Sequence, residues 1–312
     1  MKERILEVDF VKGVLISLMV LFHFKMFVNT YSELTSWVYS FHMSGFLLIS
    51  GYFQRSGGTL SQLFTVIRKI FLPYAIFEVL YLLGLTLLGS ILGSQNQIDF
   101  SFVSVCKCLF LSPIGTYWYL HTLFICVIIS YLVSWLRLTP FVSLVLTGSI
   151  LFVLTLFVDG LLWSNVIYFL MGSFLHRLNL SITQSIVPSM CSLIPVLLIS
   201  CCAATFSRAD WSGLGLTFFM LSFLMGLYSY LPLICKHLVG FIGRNSFCIV
   251  LFSPIFTVLT KQYDFMFTFD RSNMLWAIVS LILVLSLCLL SAWLCDKLKI
   301  SKLLVGNQLY CK

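Results

Sequence analysis

Ten apolar stretches follow one another along this chain, near residues 8–28, 36–53, 70–92, 116–136, 140–158, 161–178, 186–205, 213–231, 239–260 and 273–296. A membrane-crossing helix takes about 20 mostly apolar residues, because in lipid its backbone polar groups must be satisfied within the segment itself. Together the stretches use nearly all of the 312 residues and leave no room for a soluble catalytic domain. Charged residues make up 10% of the chain, whereas a soluble domain carries roughly 25%. Mean hydropathy is +1.04. The expected fold is therefore all-α, a polytopic membrane bundle of about ten transmembrane helices forming a single domain over residues 1–312.

Orientation follows from Lys and Arg, which favour the cytoplasmic side. With the N-terminus inside, fourteen of the nineteen basic residues fall on the inner side, Arg68, Lys69, Arg137, Arg244 and Lys297 among them. Lys25, Lys107, Arg208, Lys261 and Arg271 remain outside. An even number of spans then puts both termini in the cytoplasm. The net charge of +8 is read as this topology signal and not as nucleic-acid binding. The first span holds His23 and Lys25 with no small-residue cleavage site after them, so it is expected to be retained rather than removed as a signal. The eleven cysteines show neither a metal pattern nor a disulfide framework; Cys106, Cys108, Cys201 and Cys202 lack His or carboxylate neighbours and read as small hydrophobes.

Ionisable residues inside such spans are costly, about 2.5–3.5 kcal/mol for a charge at the bilayer centre, and so mark partners or sites. Asp9, Lys12, His23 and His42 lie within the first two spans. Lys12 and His23 are eleven residues apart, close to three helical turns, which puts them on one face about 16 Å apart along the axis. Asp9, three residues before Lys12, is close enough to pair with it. His42 in the second span and His121 in the fourth, beside Tyr117-Trp118-Tyr119, are expected at the depth of His23. An imidazole there can take a proton from a hydroxyl near neutral pH or relay protons through a transporter. Glu78 is the carboxylate deepest in an apolar span; it could orient a histidine, bind a sugar hydroxyl or pair with a basic residue. Arg68 and Lys69 open the third span just before Pro73-Tyr74, as positive-inside anchors or as phosphate contacts. His176 and His237, beside Arg177 and Lys236, read as interfacial residues at inner helix ends.

Outside the spans, the longest polar stretches are 54–62, facing the cytoplasm, and 93–101, facing out. Residues 99–111 are too short to span and are expected to lie along the outer interface or re-enter. The segment 263–272, with Asp264, Asp270 and Arg271, is an outer connection.

These residues resemble the acyltransferase-3 family of integral membrane acyltransferases, in its fucose O-acetylase-like branch. Arg4-Ile-Leu-Glu-Val-Asp9-Phe-Val-Lys12-Gly13, followed by His23, is similar to the family's first helix. Phe41-His42-Met43-Ser44-Gly45-Phe46, running on to Ser50-Gly51-Tyr52-Phe53, is similar to its second. Arg68-Lys69 with Pro73-Tyr74, Trp118-Tyr119-Leu120 and Gly243-Arg244-Asn245-Ser246 resemble later motifs. Two positions depart from the pattern. Arg68 and Lys69 are adjacent where the family often spaces two basic residues three apart, and Ser253-Pro254 stands where many members carry a His.

The resemblance implies an O-acyltransferase of the bacterial inner membrane that moves an acetyl or other short acyl group. The donor would be cytoplasmic acyl-CoA, a co-substrate and not a bound cofactor, and the acceptor a hydroxyl of a surface carbohydrate or lipid-linked glycan. His23 would act as general base or carry the acyl group transiently, with His42 sharing or positioning the proton. Lys12, Arg68 and Lys69 would bind the donor, Asp9 and Glu78 would orient, and Trp118 and His121 would contact the acceptor. The partners implied are acyl-CoA, the glycan acceptor and membrane lipid, with no nucleic acid; oligomeric state stays open. A proton-coupled transporter or exporter of a glycan or small acid would use the same histidines, although the paired broken helices or half-to-half symmetry of many transporters are not evident. A non-catalytic partner of a polysaccharide synthase is a third reading, which would tolerate loss of His23.

Overall fold

The computed structural model describes residues 4–54, 59–88, 100–203, 205–305 and 309–310. Much of the polar stretches 54–62 and 93–101, Arg55 among them, and the end of the expected third span lie outside the described residues. Among the described residues the regular structure is helical, without a strand. The α-helices are α1 (Leu6–Leu21), α2 (Lys25–Thr30), α3 (Ser32–Phe53), α4 (Leu60–Val66), α5 (Leu72–Leu88), α6 (Phe102–Phe110), α7 (Trp118–Ser134) and α8 (Pro140–Thr155). They continue as α9 (Trp163–Arg177), α10 (Ile182–Ser185), α11 (Leu193–Cys202), α12 (Trp211–Tyr230), α13 (Leu233–Arg244), α14 (Ser246–Leu259), α15 (Met274–Lys297) and α16 (Ile300–Leu304).

Five helical stretches among the described residues are long and apolar enough to cross a membrane: Leu60–Leu87, Gly115–Ser134, Trp211–Tyr230, Ser246–Phe267 and Met274–Lys297. This is a membrane protein. On α15, Leu275, Ile278, Ile282, Leu290 and Trp293 are exposed, as on a helix facing lipid. Several expected spans take a different form. The first breaks after α1, where Phe22 and His23 form a turn before α2 begins. The second is a 22-residue helix whose Ser, Thr, Glu33 and His42 lower its apolarity. The span expected at 239–260 is interrupted at Asn245, whose side-chain Nδ2 donates to the Phe241 carbonyl at 3.0 Å; an Asn side chain competes with the helical ladder in this way. Residues 102–110 form a helix, and 260–267 a 3₁₀ segment.

The chain folds into two compact units. The first comprises residues 1–46, 178–294 and 309–312, and the second residues 47–177 and 295–308, so that α3 begins in one unit and ends in the other. In the first unit α1 packs on α12, α13 and α14 through the buried Val11, Leu15 and Ile16. Its seam with α13 is set by two glycines. A Cβ on Gly13 would strike the Val239 carbonyl, and one on Gly243 would strike the Asp9 carbonyl. Such small-residue crossings bring membrane helices backbone to backbone. The second unit repeats the device between α3 and α9, where Gly51 meets the Phe169 carbonyl and Gly172 meets that of Leu48. Its core gathers Cys126, Tyr131, Leu151, Leu161, Val166 and Phe169 from α7, α8, α9 and the turn before α9.

Candidate active site

In the first unit, α1 carries Asp9 and Lys12 and ends two residues before His23. Asp9 is buried and accepts from Arg4 Nε at 2.5 Å. Lys12 lies within electrostatic reach of Asp9 as well, so both cations act on this carboxylate. The end of a helix leaves its last carbonyls without intrahelical donors, and two side chains fill that need here. The His23 ring bonds through Nδ1 to the Met19 carbonyl. Tyr39, on α3, donates its hydroxyl to the Phe22 carbonyl at 2.6 Å.

Tyr39 also joins the two histidines. Its ring centroid lies 6.4 Å from that of His23 and 5.3 Å from that of His42, on which it stacks with planes 29° apart. His42 donates Nδ1–H to the Val38 carbonyl at 2.8 Å, and its buried Nε2 has no hydrogen-bond partner. A carbonyl oxygen can only accept, so each imidazole carries its proton on Nδ1 and its lone pair on Nε2. Arg208, from the segment before α12, donates Nε to the Tyr39 carbonyl at 2.9 Å and lies within electrostatic reach of His42. The cluster thus gathers two imidazoles and one guanidinium around a tyrosine.

The remaining candidates belong to the second unit. Arg68 and Lys69 sit in a π-turn, Ile67–Phe71, between α4 and α5, and both are exposed. Arg68 Nη2 donates to the Lys302 carbonyl at 3.1 Å. Glu78 is fully buried; its Oε1 accepts from the Ile114 N–H at 2.5 Å, and its Oε2 has no partner. His121 donates Nε2–H to the Phe110 carbonyl at 3.2 Å and keeps an unpartnered Nδ1. Tyr74, four residues before Glu78, donates to the carbonyls of Cys108 at 3.0 Å and Leu109 at 3.1 Å. His121 and Tyr74, rings 6.0 Å apart, thereby close the C-terminal end of α6. Trp118 is half-buried at the start of α7. Its neighbour Tyr119 shares a 2.9 Å hydrogen bond with Ser50. His176 meets the ring of Tyr52 edge-on at 5.5 Å.

The structure thus brings His23 and His42 together through Tyr39, and Glu78 and His121 to the neighbourhood of Tyr74. Sequence reasoning gave no site role to Tyr39, to Arg208 or to Arg4, which entered it only as a topology signal and as the opening of a motif. Tyr39 had a usable signal, since it lies one helical turn before His42. Arg208 had none, because its approach to Tyr39 is purely tertiary.

A family model described as an acyltransferase domain matches residues 5–293 and so runs through both units. Neither the search of curated proteins nor that of solved structures found a match. The match takes in the histidine pair, the π-turn cations and the buried Glu78 alike, and by it this chain belongs to the acyltransferase-3 family and is a membrane acyltransferase.

Proposed function

We propose that the protein is an O-acyltransferase of the fucose O-acetylase-like branch, carrying an acetyl or other short acyl group from cytoplasmic acyl-CoA to a hydroxyl of a surface glycan or lipid-linked sugar. The observation that carries this reading is the shared tautomer of His23 and His42, each with Nδ1 bonded to a backbone carbonyl and the lone pair left on Nε2. Nitrogen so disposed suits a general base. In the step proposed, His23 Nε2 takes the proton as the acceptor oxygen attacks the thioester carbonyl. The C–S bond then breaks, and the CoA sulfur leaves with the proton that His23 returns. One ester and one CoA thiol result. His42 shares or positions that proton, with Asp9 and Glu78 as orienting residues. Lys12, Arg68 and Lys69 provide positive charge for the donor, and Trp118 and His121 contact the acceptor.

In this reading residues 1–312 form one domain of about ten membrane-crossing helices with both termini cytoplasmic, in a bacterial inner membrane. Acyl-CoA is a co-substrate, and neither a metal nor a resident cofactor is involved. The test is coenzyme A release from radiolabelled acetyl-CoA by the purified protein, with and without membrane glycan extract. Glycan-dependent release that labels the glycan, lost in His23→Ala, is the expected result. Release that is undiminished in the variant would remove His23 from the chemistry. Failure of the wild type to bind or cleave acetyl-CoA would remove the donor assignment.

A further inference from the structure

The last described helix makes a contact that the family match does not reach, since the match ends at residue 293. After α15 the chain reverses at Lys299, which holds a left-handed φ of 61°, a conformation uncommon for a residue other than glycine. It then forms the short helix α16. Ser301 and Val305 are buried, one helical turn apart, while Lys299 and Lys302 are exposed. The C-terminal hook therefore has a docked side and a basic side. Residues 295–308 belong to the second unit, as does the π-turn, and the two are joined where Arg68 Nη2 donates to the Lys302 carbonyl. That carbonyl is one of the last of α16, where a cation also complements the helix dipole.

Two physical points bear on this junction. Arg68 and Lys69 are neighbours in the π-turn and project in different directions, so further cations for a group with several phosphates would come from another segment. A guanidinium also has five N–H donors in a fixed fork. The bond to Lys302 uses one of them, which leaves Arg68 able to hold the hook and bind a phosphate at once. Lys302 is anchored beside Arg68 by its own backbone, and the exposed Lys299 immediately precedes α16. Four exposed cations from two segments are thus tied together by one hydrogen bond.

We propose that the hook is a wall of the donor site, with Lys299 and Lys302 joining Arg68 and Lys69 on the phosphates of the acyl-CoA donor; this rests on the donor reading given above. Phosphate chemistry of the same kind is offered by anionic lipid headgroups, so the test separates the two sources. Binding of radiolabelled acetyl-CoA is measured on the full chain in nanodiscs of purely zwitterionic lipid, for wild type, the double variant Lys299→Gln/Lys302→Gln, and Lys261→Gln as an exposed basic control. The double variant should bind about tenfold more weakly, the scale of lost charge-assisted contacts, and the control should match wild type. Unchanged binding in the double variant would overturn the hook's role while leaving the donor reading intact. A defect seen only when anionic lipid is added would overturn it in favour of headgroup binding. Absence of acetyl-CoA binding in the wild type would overturn the donor reading, and the hook's role with it.

Discussion

The phenol ring of Tyr39 stacks on the imidazole of His42 at 5.3 Å while its hydroxyl closes the carbonyl of Phe22, the residue just before His23. One side chain thus couples the position of one histidine to the packing of the other. Tyr39→Phe keeps the ring and removes the hydroxyl bond. The expected cost is about 1 kcal/mol of stability, with the turn at His23 loosened. Turnover should fall more than acyl-CoA affinity, which separate measurement of kcat and KM will show.

Substitution of His23 itself addresses the chemistry. If Nε2 is the base, His23→Gln should lower turnover by about 10²–10⁴-fold, the range of a lost general base, with the protein still folding cooperatively in a thermal melt. His42→Gln should have a smaller effect on turnover. Equal activity of wild type and His23→Gln would end this assignment.

Glu78 makes a structural prediction at the other unit. Glu78→Ala strands the Ile114 N–H and should cost about 1–3 kcal/mol, read from unfolding in detergent. Glu78→Gln retains a carbonyl oxygen for that N–H and should recover most of the loss. Recovery of stability without recovery of turnover would show that the carboxylate serves the reaction as well as the fold.

The glycine seams are equally testable. Gly13→Ala or Gly243→Ala drives a Cβ into backbone, which neighbouring side chains cannot relieve, so losses at the upper end of about 1–3 kcal/mol are expected. Gly84 on α5 has nothing within 4 Å of a Cβ. Gly84→Ala should therefore gain about 0.5–1 kcal/mol from helix propensity. Yield of monodisperse protein after detergent extraction will rank the three.

An acid-sensitive contact lies before α15. Asp270 accepts from the Ser272 hydroxyl at 2.6 Å and from the N–H groups of Ser272 at 3.1 Å and Leu275 at 2.7 Å. These bonds, that to the Ser272 side chain foremost, hold its carboxyl below the ordinary 3.8. A depressed carboxylate stabilises the fold above its unfolded pKa, and the effect disappears as pH falls through the folded value. Hydrogen-exchange protection of the amides from Ser272 to Leu275, taken relative to the intrinsic rate at each pH, should fall on acidification, and less so in Asp270→Asn, whose amide does not titrate.

The sequence displayed the helices more plainly than their interruptions. Continuous apolarity across 8–28 and 239–260 hides the breaks at Phe22 and Asn245, because hydropathy records side-chain partition and not where the backbone ladder stops. Glu78 was legible as a buried group, since its neighbours are uniformly apolar. Its partner, the Ile114 N–H, was not, because backbone donors carry no sequence signature. The spacing of Asp9 and Lys12 was visible as one helical turn, and the two lie within electrostatic reach. The hydrogen bond to Asp9 from the flanking Arg4 was not visible, because it depends on how the chain enters α1.

The crossing of α1 and α13 has a mechanical consequence. Where Gly13 faces the Val239 carbonyl and Gly243 faces that of Asp9, each backbone blocks the other against axial sliding, because a displacement by one residue would present a side chain to a carbonyl. The portion of α1 bearing Asp9 and Lys12 is thereby locked in register. If His23 serves the reaction as proposed, any adjustment of its ring has to be taken up after Leu21, where the helical ladder gives way to a turn.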